Sequence, residues 1–224
     1  MKLGLDKAVL AVALVLLAAP AFAQNPVALM DYTGYAYETG GLPQSLAGDE
    51  LVIAGVANPA NMDPIFNVLP SSQEVTVYIY GLLVASAVTQ TDGSVDVDYS
   101  GGMIEVYEDA NLNHVWSAFP PQPDLATFTD GSLLFSGSFT RFNLNLNAFG
   151  FGIYDGEIDG IGGTAAALCD GAPDCAYTFG GAFGRDVGAQ IPDGWDLQID
   201  GTLEIDAAVP TETASFGAVK ALFH

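Results

Sequence analysis

The sequence predicts a single all-β domain of antiparallel strands, with a two-layer, jelly-roll-like β-sandwich favoured over a closed β-barrel. Residues 195–206 alternate apolar and polar side chains without a break, which is the period of a strand with one buried face. Turn pairs such as Asp92-Gly93, Asp130-Gly131 and Gly162-Gly163 separate other segments of this kind. Helical periodicity is almost absent after the first residues, so no helical layer is expected.

The chain opens with a secretory signal peptide over residues 1–23. Lys2 and Lys7 form a basic start, residues 8–18 are apolar, and Ala21-Phe22-Ala23 is a cleavage site of the A-x-A type. We therefore expect a secreted or periplasmic protein. No later stretch is apolar over about 18 residues, so we expect no transmembrane helix in the mature chain.

The composition is strongly acidic, with 27 acids against 5 lysines and arginines and a formal net charge of −22. Nucleic acid is a poor partner for such a chain, because phosphate binding depends on basic residues. Cations, cationic partners or a salty medium fit the charge better. The candidate partners are a cation, a glycan or a protein at the cell surface. The acids are explained either by a solvated, salt-adapted coat or by cation binding. In both cases salt should stabilise the fold, because it screens the repulsion between like charges.

Twelve strands are predicted, over residues 29–38, 50–57, 74–89, 94–99, 102–108, 125–129, 132–139, 141–147, 149–161, 164–169, 175–184 and 195–206. A hairpin turn is predicted at Gly101-Gly102. The apolar phase shifts between Phe139 and Phe142, which predicts a β-bulge at Thr140-Arg141. Gly81 marks a bend in a long central strand.

These strands place the all-β domain at residues 24–209. Pro210 ends the pattern, and residues 210–224 form a tail in which a short helix is possible. The tail, TETASFGAVKALF, resembles the short tails that end some secreted bacterial proteins and share an aromatic-Gly-x-x-Lys core. The resemblance covers only these residues and implies no activity. An outer-membrane barrel shows the same alternation, but its lumen would then be crowded with acids.

Cys169 and Cys175 are the only cysteines in the sequence. They flank a short loop that contains a glycine and a proline, and export favours an oxidising compartment. We predict a disulfide that closes this loop. A metal site is the less favoured interpretation, because the two thiols have no histidine nearby to complete a ligand set.

The first candidate for a Ca²⁺ site is the loop that contains Asp109, Asn111 and Asn113. Oxygen ligands at alternate positions match the opening of a calcium-binding loop. An EF-hand is excluded, because His114 and Pro120 occupy the positions where that motif needs Gly and Glu. The alternative is an Asx-rich turn that caps its own backbone.

The second candidate is the acid row Asp155, Glu157 and Asp159, whose spacing places all three on one face of a strand. The row continues the phase of the apolar residues 149–153. Either a bulge at Gly156 rotates the acids outward, or they project where the apolar face ends. The row is a solvated strand face, a set of cation ligands, or the carboxylate pair of a glycan hydrolase or lyase.

His114, Trp116 and Phe119 lie in a proline-rich excursion and form a candidate platform for an apolar ligand or a sugar; the alternative is that they anchor the loop. No catalytic residue is assigned, because nucleophile-elbow, phosphate-loop, zincin and dinucleotide motifs are missing from the sequence. We predict a non-catalytic extracytoplasmic binding, adhesion or scaffold module with Ca²⁺ as its candidate cofactor. The alternative is a carboxylate-dependent glycan hydrolase or lyase.

Overall fold

The computed structural model describes residues 27–69, 72–116, 118–119, 122–163, 176–185 and 191–206. Eight long strands within them form one closed antiparallel barrel. These are β1 (Val27–Glu38), β2 (Glu50–Ala57), β3 (Glu74–Thr89), β4 (Val95–Asp109), β7 (Ser132–Leu146), β8 (Phe151–Gly163), β9 (Ala176–Gly184) and β10 (Leu197–Asp206). A two-stranded ribbon, β5 (Ala118–Phe119) and β6 (Gln122–Pro123), lies between β4 and β7 in the chain. Residues 126–128, which were predicted as a strand, form a turn of 3-10 helix.

The predicted sandwich is wrong, because the sheet closes on itself. Each barrel strand pairs with its neighbours in sequence, and the first strand, β1, also pairs with the last, β10. That closing ladder runs from Val27↔Ile205 to Ala36↔Leu197. Alternation predicts one buried face per strand, and a sandwich and a barrel both provide one. Closure depends on how far the strands bend and coil, which the alternation does not report.

The glycines at the middle of β4 lie within a continuous strand and do not end it. The predicted hairpin at Gly101-Gly102 is wrong, because β4 pairs with β3 from Glu74↔Asp109 to Thr89↔Val95. Gly101 and Gly102 have φ angles of +72° and +96°, and Gly81 on β3 has +73°. Glycine adopts these angles without strain. The bend predicted at Gly81 stays a prediction, because the β3–β4 register is unbroken across it, from Tyr80↔Met103 to Leu82↔Gly101.

The bulge predicted in β7 is confirmed. The register between β7 and β8 shifts between Phe139 and Arg141, so Thr140 is the extra residue. Without it, the two-residue period would turn either Phe139 or Phe142 out of the barrel. With it, both rings face the interior and both are buried.

Aromatic side chains fill the barrel interior. The hydroxyl oxygens of Tyr32 and Tyr154 are 2.7 Å apart, and the ring of Tyr32 stacks on Phe179 with centroids 4.4 Å apart. Gly201 makes room for this pair, since a Cβ there would lie 2.7 Å from the Tyr32 hydroxyl and 2.6 Å from that of Tyr154. An eight-stranded barrel is just wide enough for such side chains to fill it.

A second apolar cluster lies outside the barrel wall. Phe128, from the segment between β4 and β7, belongs to it, and the Phe128 carbonyl oxygen accepts a hydrogen bond from Thr76 Oγ1 of β3 at 2.9 Å. Its buried members are Tyr37, Val52, Ala54, Phe128 and Trp195. The long excursion predicted from its prolines is therefore anchored in part by packing.

The acids of β8 and β10 lie on the outer wall of the barrel. Along β10, Asp200 and Glu204 alternate with the buried Ile199 and Leu203. Asp200 and Glu204 therefore belong to the outer surface of the barrel.

Several predictions concern residues outside the described part of the chain: the signal peptide 1–23, the strand 164–169, the Cys169–Cys175 disulfide and the tail 210–224. They stay predictions. Within the described ranges, no helix has the length and apolar character needed to cross a membrane.

Candidate functional site

An apolar row on the outside of β8 distinguishes one side of the barrel. Phe149, Phe151 and Ile153 are 83%, 56% and 64% exposed. Phe151 and Ile153 point outward together with Asp155 and Glu157, because alternate residues of a strand share a face. The large apolar side chains of this segment thus lie in contact with solvent instead of with the core.

Two explanations of this row were drawn from the sequence: a bulge at Gly156 that rotates the acids outward, or acids that project where the apolar face ends. The structure matches neither. The register between β8 and β9 is unbroken from Phe151↔Gly184 to Ile158↔Tyr177, so no bulge occurs at Gly156. The apolar residues and the acids share one outward face throughout. The core face of β8 is the other one, which includes Tyr154 and Ile158.

The strand beside this row, β9, presents small residues to the outside. Its outward positions Gly180, Ala182 and Gly184 lie between β8 and β10. Ala182, for example, has Ile153 as its register partner on one side and Asp200 on the other. Because the middle strand lacks large side chains, the two flanking rows enclose a channel, which we call the β9 groove.

Three depressions on the described surface follow one another along the β9 groove. One of about 450 Å³ lies beside Ile153, and one of about 360 Å³ lies between Phe151 and Gln198. The third, of about 510 Å³, is lined by Phe149 and Arg185 at the end of the groove. All three are lined by residues of the β9 groove or of its end.

The rim of the β9 groove is acidic. Asp155 and Glu157 stand on the β8 side, and Asp200 and Glu204 stand on the β10 side. Arg141 of β7 compensates two of them, with Nη2 lying 2.5 Å from Asp155 Oδ2 and 3.2 Å from Glu157 Oε1. The hydrogen bond to Asp155 is the main reason why the pKa of Arg141 is raised. Because these three side chains are about half exposed, solvent weakens their attraction.

In the acid row predicted as a cation or catalytic site, two of the three acids thus already pair with the Arg141 guanidinium. Asp155 and Glu157 share Arg141, and Asp159 lies further along the same face, beside Ser138 of β7. Among the residues that the structure describes, no group of three or more His, Cys, Asp or Glu side chains is arranged to hold a metal. The role of the row stays a prediction.

The predicted calcium loop follows β4 and is tied to a residue that sequence reasoning missed. Glu74 of β3 lies directly opposite Asp109, and its Oε1 accepts hydrogen bonds from the backbone N of Asn113 at 2.6 Å and of His114 at 3.0 Å. Asp109 Oδ1 accepts from the backbone N of Asn111 at 2.8 Å. The only sequence signal for Glu74 is an acid at the first position of a strand, which does not reveal its partner.

Two of the residues predicted as a ligand platform, His114 and Trp116, make contacts within the protein. His114 Nδ1 lies 2.6 Å from Glu74 Oε2. The ring of Trp116 is 4.8 Å from the rings of Tyr35 and Phe128, centroid to centroid, beside the outer apolar cluster. The side chain of Phe119 lies outside the described part of the chain.

Comparisons with known proteins do not connect this barrel to a family. No protein family, curated protein or solved structure matches the chain significantly. Closed antiparallel barrels serve many unrelated functions, so the fold alone does not define an activity. The chemistry of the outer surface therefore carries the functional inference.

Proposed function

We propose that the protein is a non-catalytic, extracytoplasmic binding module whose β9 groove takes a polypeptide with basic and apolar side chains. The observation that carries the proposal is the exposure of Phe149, Phe151 and Ile153 along one edge of the groove. Contiguous exposed apolar surface is rare on folded domains and commonly marks an interaction site. The export expected from residues 1–23 gives the proposed setting.

The charge of the groove selects the partner. Asp200 and Glu204 line the β10 side without a basic side chain bonded to either among the described contacts, while Arg141 serves only the β8 side. A second copy of this chain would bring the same net charge of −22 and be repelled. Basic groups on a partner would meet the acids, and its apolar side chains would cover the row on β8.

Barrel closure determines how such a partner is held. Each of the eight strands already pairs on both sides, so none offers a free edge to which a peptide could add as a further strand. Recognition would therefore depend on side chains in the groove. The small residues Gly180, Ala182 and Gly184 would let a chain approach the barrel wall closely.

The carboxylate-dependent enzyme is less supported by the same geometry. Asp155 and Glu157 stand on an open outer wall and share one guanidinium. A glycosidase pair needs one carboxyl group on each side of an enclosed scissile bond, with one of them able to donate a proton. On this open outer wall, Asp155 and Glu157 do not enclose a position for such a bond.

The test begins with peptides selected from a display library for binding to the full-length protein. We expect the selected peptides to combine Lys or Arg with large apolar residues. The double variant Phe151→Ser/Ile153→Ser should bind them about tenfold more weakly or worse, which is a loss of about 1.4 kcal/mol or more. Affinities can be measured by fluorescence anisotropy.

The matched control is Leu46→Ser/Val88→Ser, which removes two other exposed apolar residues far from β8 in sequence. It should leave binding unchanged. Wild-type peptide affinity in Phe151→Ser/Ile153→Ser would contradict the proposal. The same loss of affinity in this variant and in the control would also contradict it. A panel of oligosaccharides is tested in parallel, because a glycan is the other candidate partner. If sugars bind in the groove and peptides do not, a polypeptide partner is wrong.

A further inference from the structure

Two buried oxygen atoms in the loop after β4 have no hydrogen-bond partner among the described residues. They are Asp109 Oδ2 and Asn113 Oδ1. Asp109 is only 7% exposed. Its Oδ1 accepts from the backbone N of Asn111, so the carboxylate faces the residues that follow β4. Buried acceptors are nearly always satisfied, and two unmatched ones within five residues of the chain point to a missing ligand.

A second carboxylate lies beside these oxygens. Asp130 Oδ2 accepts a hydrogen bond from Asn113 Nδ2 at 3.0 Å. The backbone that follows passes close to the loop, since a Cβ on Gly131 would lie 3.3 Å from Asp109 Cβ and 2.3 Å from the carbonyl oxygen of Glu108. The turn before β7 therefore brings the Asp130 carboxylate to the end of β4, close to the carbonyl oxygen of Glu108.

Glu74 holds the loop in this position without being open to a ligand itself. Its Oε1 accepts from two backbone N–H groups of the loop, and its Oε2 contacts His114. The loop is thus fixed at its far end, whereas Asp109 Oδ2 and Asn113 Oδ1 are left without donors. A cation that binds there would meet ligands already in place, which lowers the entropic cost of binding.

Positive charge is scarce around this loop. The described residues contain two arginines and no lysine. Arg141 is paired with acids of β8, and Arg185 lines the depression at the end of the β9 groove. Among the described residues, neither arginine forms an ion pair with Asp109 or Asp130. The lack of a cationic side chain and the unmatched oxygens both favour a bound cation.

We propose that Asp109, Asn113 and Asp130 bind a calcium ion, independently of the β9 groove. Two carboxylates, one amide oxygen and nearby carbonyls form an all-oxygen set of the kind that Ca²⁺ accepts, with water completing the shell. Zinc prefers nitrogen and sulfur ligands, and Mg²⁺ demands a stricter octahedron. Because the set holds only two acids, it is compatible with the lack of a three-residue acidic or histidine cluster in the described chain.

The test uses the full chain, freed of metal with a chelator, at constant ionic strength. CaCl₂ titrated from about 0.01 to 10 mM should raise the melting temperature in a saturable manner, and MgCl₂ should raise it less. Tb³⁺ should bind at the same place and luminesce on tryptophan excitation, since Trp116 lies three residues from Asn113. Added Ca²⁺ should displace it. A melting temperature that does not respond to Ca²⁺, or an equal response to Mg²⁺, would overturn the proposal.

Three variants locate the site. Asp109→Asn and Asp130→Asn should each weaken Ca²⁺ binding about tenfold or more. Asp130 is exposed, so its variant keeps the test decisive if Asp109→Asn does not fold. Asp155→Asn is the matched control on the acid row and should retain full affinity. Unchanged binding in Asp130→Asn, or loss in Asp155→Asn alone, would place the ion elsewhere and refute the loop site.

Discussion

Two tyrosine hydroxyls at the centre of the barrel depend on each other. Tyr32 and Tyr154 share one hydrogen bond of 2.7 Å, and burial raises the pKa of both groups, so both stay neutral. Tyr154→Phe would leave the Tyr32 hydroxyl buried without its partner. We expect this change to lower the free energy of unfolding by about 1–3 kcal/mol in urea denaturation.

The double variant checks that the cost comes from the unpaired hydroxyl. Tyr32→Phe/Tyr154→Phe removes both polar groups, so it should cost less than the sum of the single variants. Additive losses would mean that the two hydroxyls do not interact in the folded protein.

A buried glutamate at the end of β1 should make stability depend on pH. Burial raises the pKa of the Glu38 carboxyl, and hydrogen bonds from Tyr99 and Ser45 offset part of this shift. The folded protein then binds more protons than the unfolded chain between the usual and the raised pKa of this group. The free energy of unfolding therefore falls as pH rises through that window, and the loss is complete above the raised pKa.

Glu38→Gln removes the pH-dependent contribution of Glu38 to the free energy of unfolding and keeps the neighbouring Asp49 and Asp196. Relative to wild type, the variant should gain stability as the pH is raised from about 4 towards 8, measured by urea denaturation at several pH values. Parallel pH profiles for the two proteins would show that Glu38 ionises in the folded state as readily as in the unfolded chain.

At the scale of single strands, β8 shows why periodicity assigns the wrong face. In its first half the large apolar side chains Phe151 and Ile153 lie on the outer face. Its core face contains Gly152 and Gly156, where a Cβ would lie 2.5 Å from the ring of Phe183 and 2.8 Å from that of Phe139. Neighbouring strands fill the space that these glycines leave. A pattern read from one strand does not contain that information.

Substitutions on the two faces of β8 should therefore have unequal effects. Gly156→Val would push a branched side chain into the rings of Phe139 and Phe142, and we expect it to cost about 1–3 kcal/mol or more. Phe151→Ser on the outer face should change the free energy of unfolding by no more than about 0.5 kcal/mol. Chemical denaturation of both variants checks the assignment. A large loss for Phe151→Ser with little loss for Gly156→Val would mean that the faces are reversed.

Local features of strands were predictable where the sequence itself records them. The bulge at Thr140 was visible because the apolar phase changes within one strand. The partnership of Glu74 with the loop after Asp109 was not, because it depends on the register between β3 and β4. The β9 groove was likewise hidden, since Gly180 and Ala182 acquire meaning only between two specific neighbours.

For the molecule as a whole, closure was the part of the fold that the sequence left open. The all-β class follows from alternation, but the pairing of β1 with β10 joins residues at opposite ends of the domain. Close contacts permit that coiling. A Cβ on Gly34 would lie 2.1 Å from the carbonyl oxygen of Ala54, so β1 and β2 approach each other at a distance that only glycine allows.

The acid-coated surface should make the entire barrel sensitive to salt. With a net charge of −22, repulsion between carboxylates favours expansion at low ionic strength. We expect the melting temperature of chelator-treated protein to rise as NaCl increases from about 0.01 to 1 M, because the screening length falls from about 30 to about 3 Å. KCl should act alike. A flat or falling melting temperature would contradict a fold limited by charge repulsion.

The most direct test of the proposed binding role is a methyl NMR titration of the full-length protein with a peptide selected for binding. The methyl signals of Ile153 and Ala182 report on the β9 groove, and those of Leu46 and Val88 report on exposed apolar sites elsewhere. We predict saturable shifts for the first pair at the affinity measured by anisotropy, with the second pair unchanged. Shifts confined to Leu46 and Val88, or spread evenly over all four, would contradict the groove as the binding site.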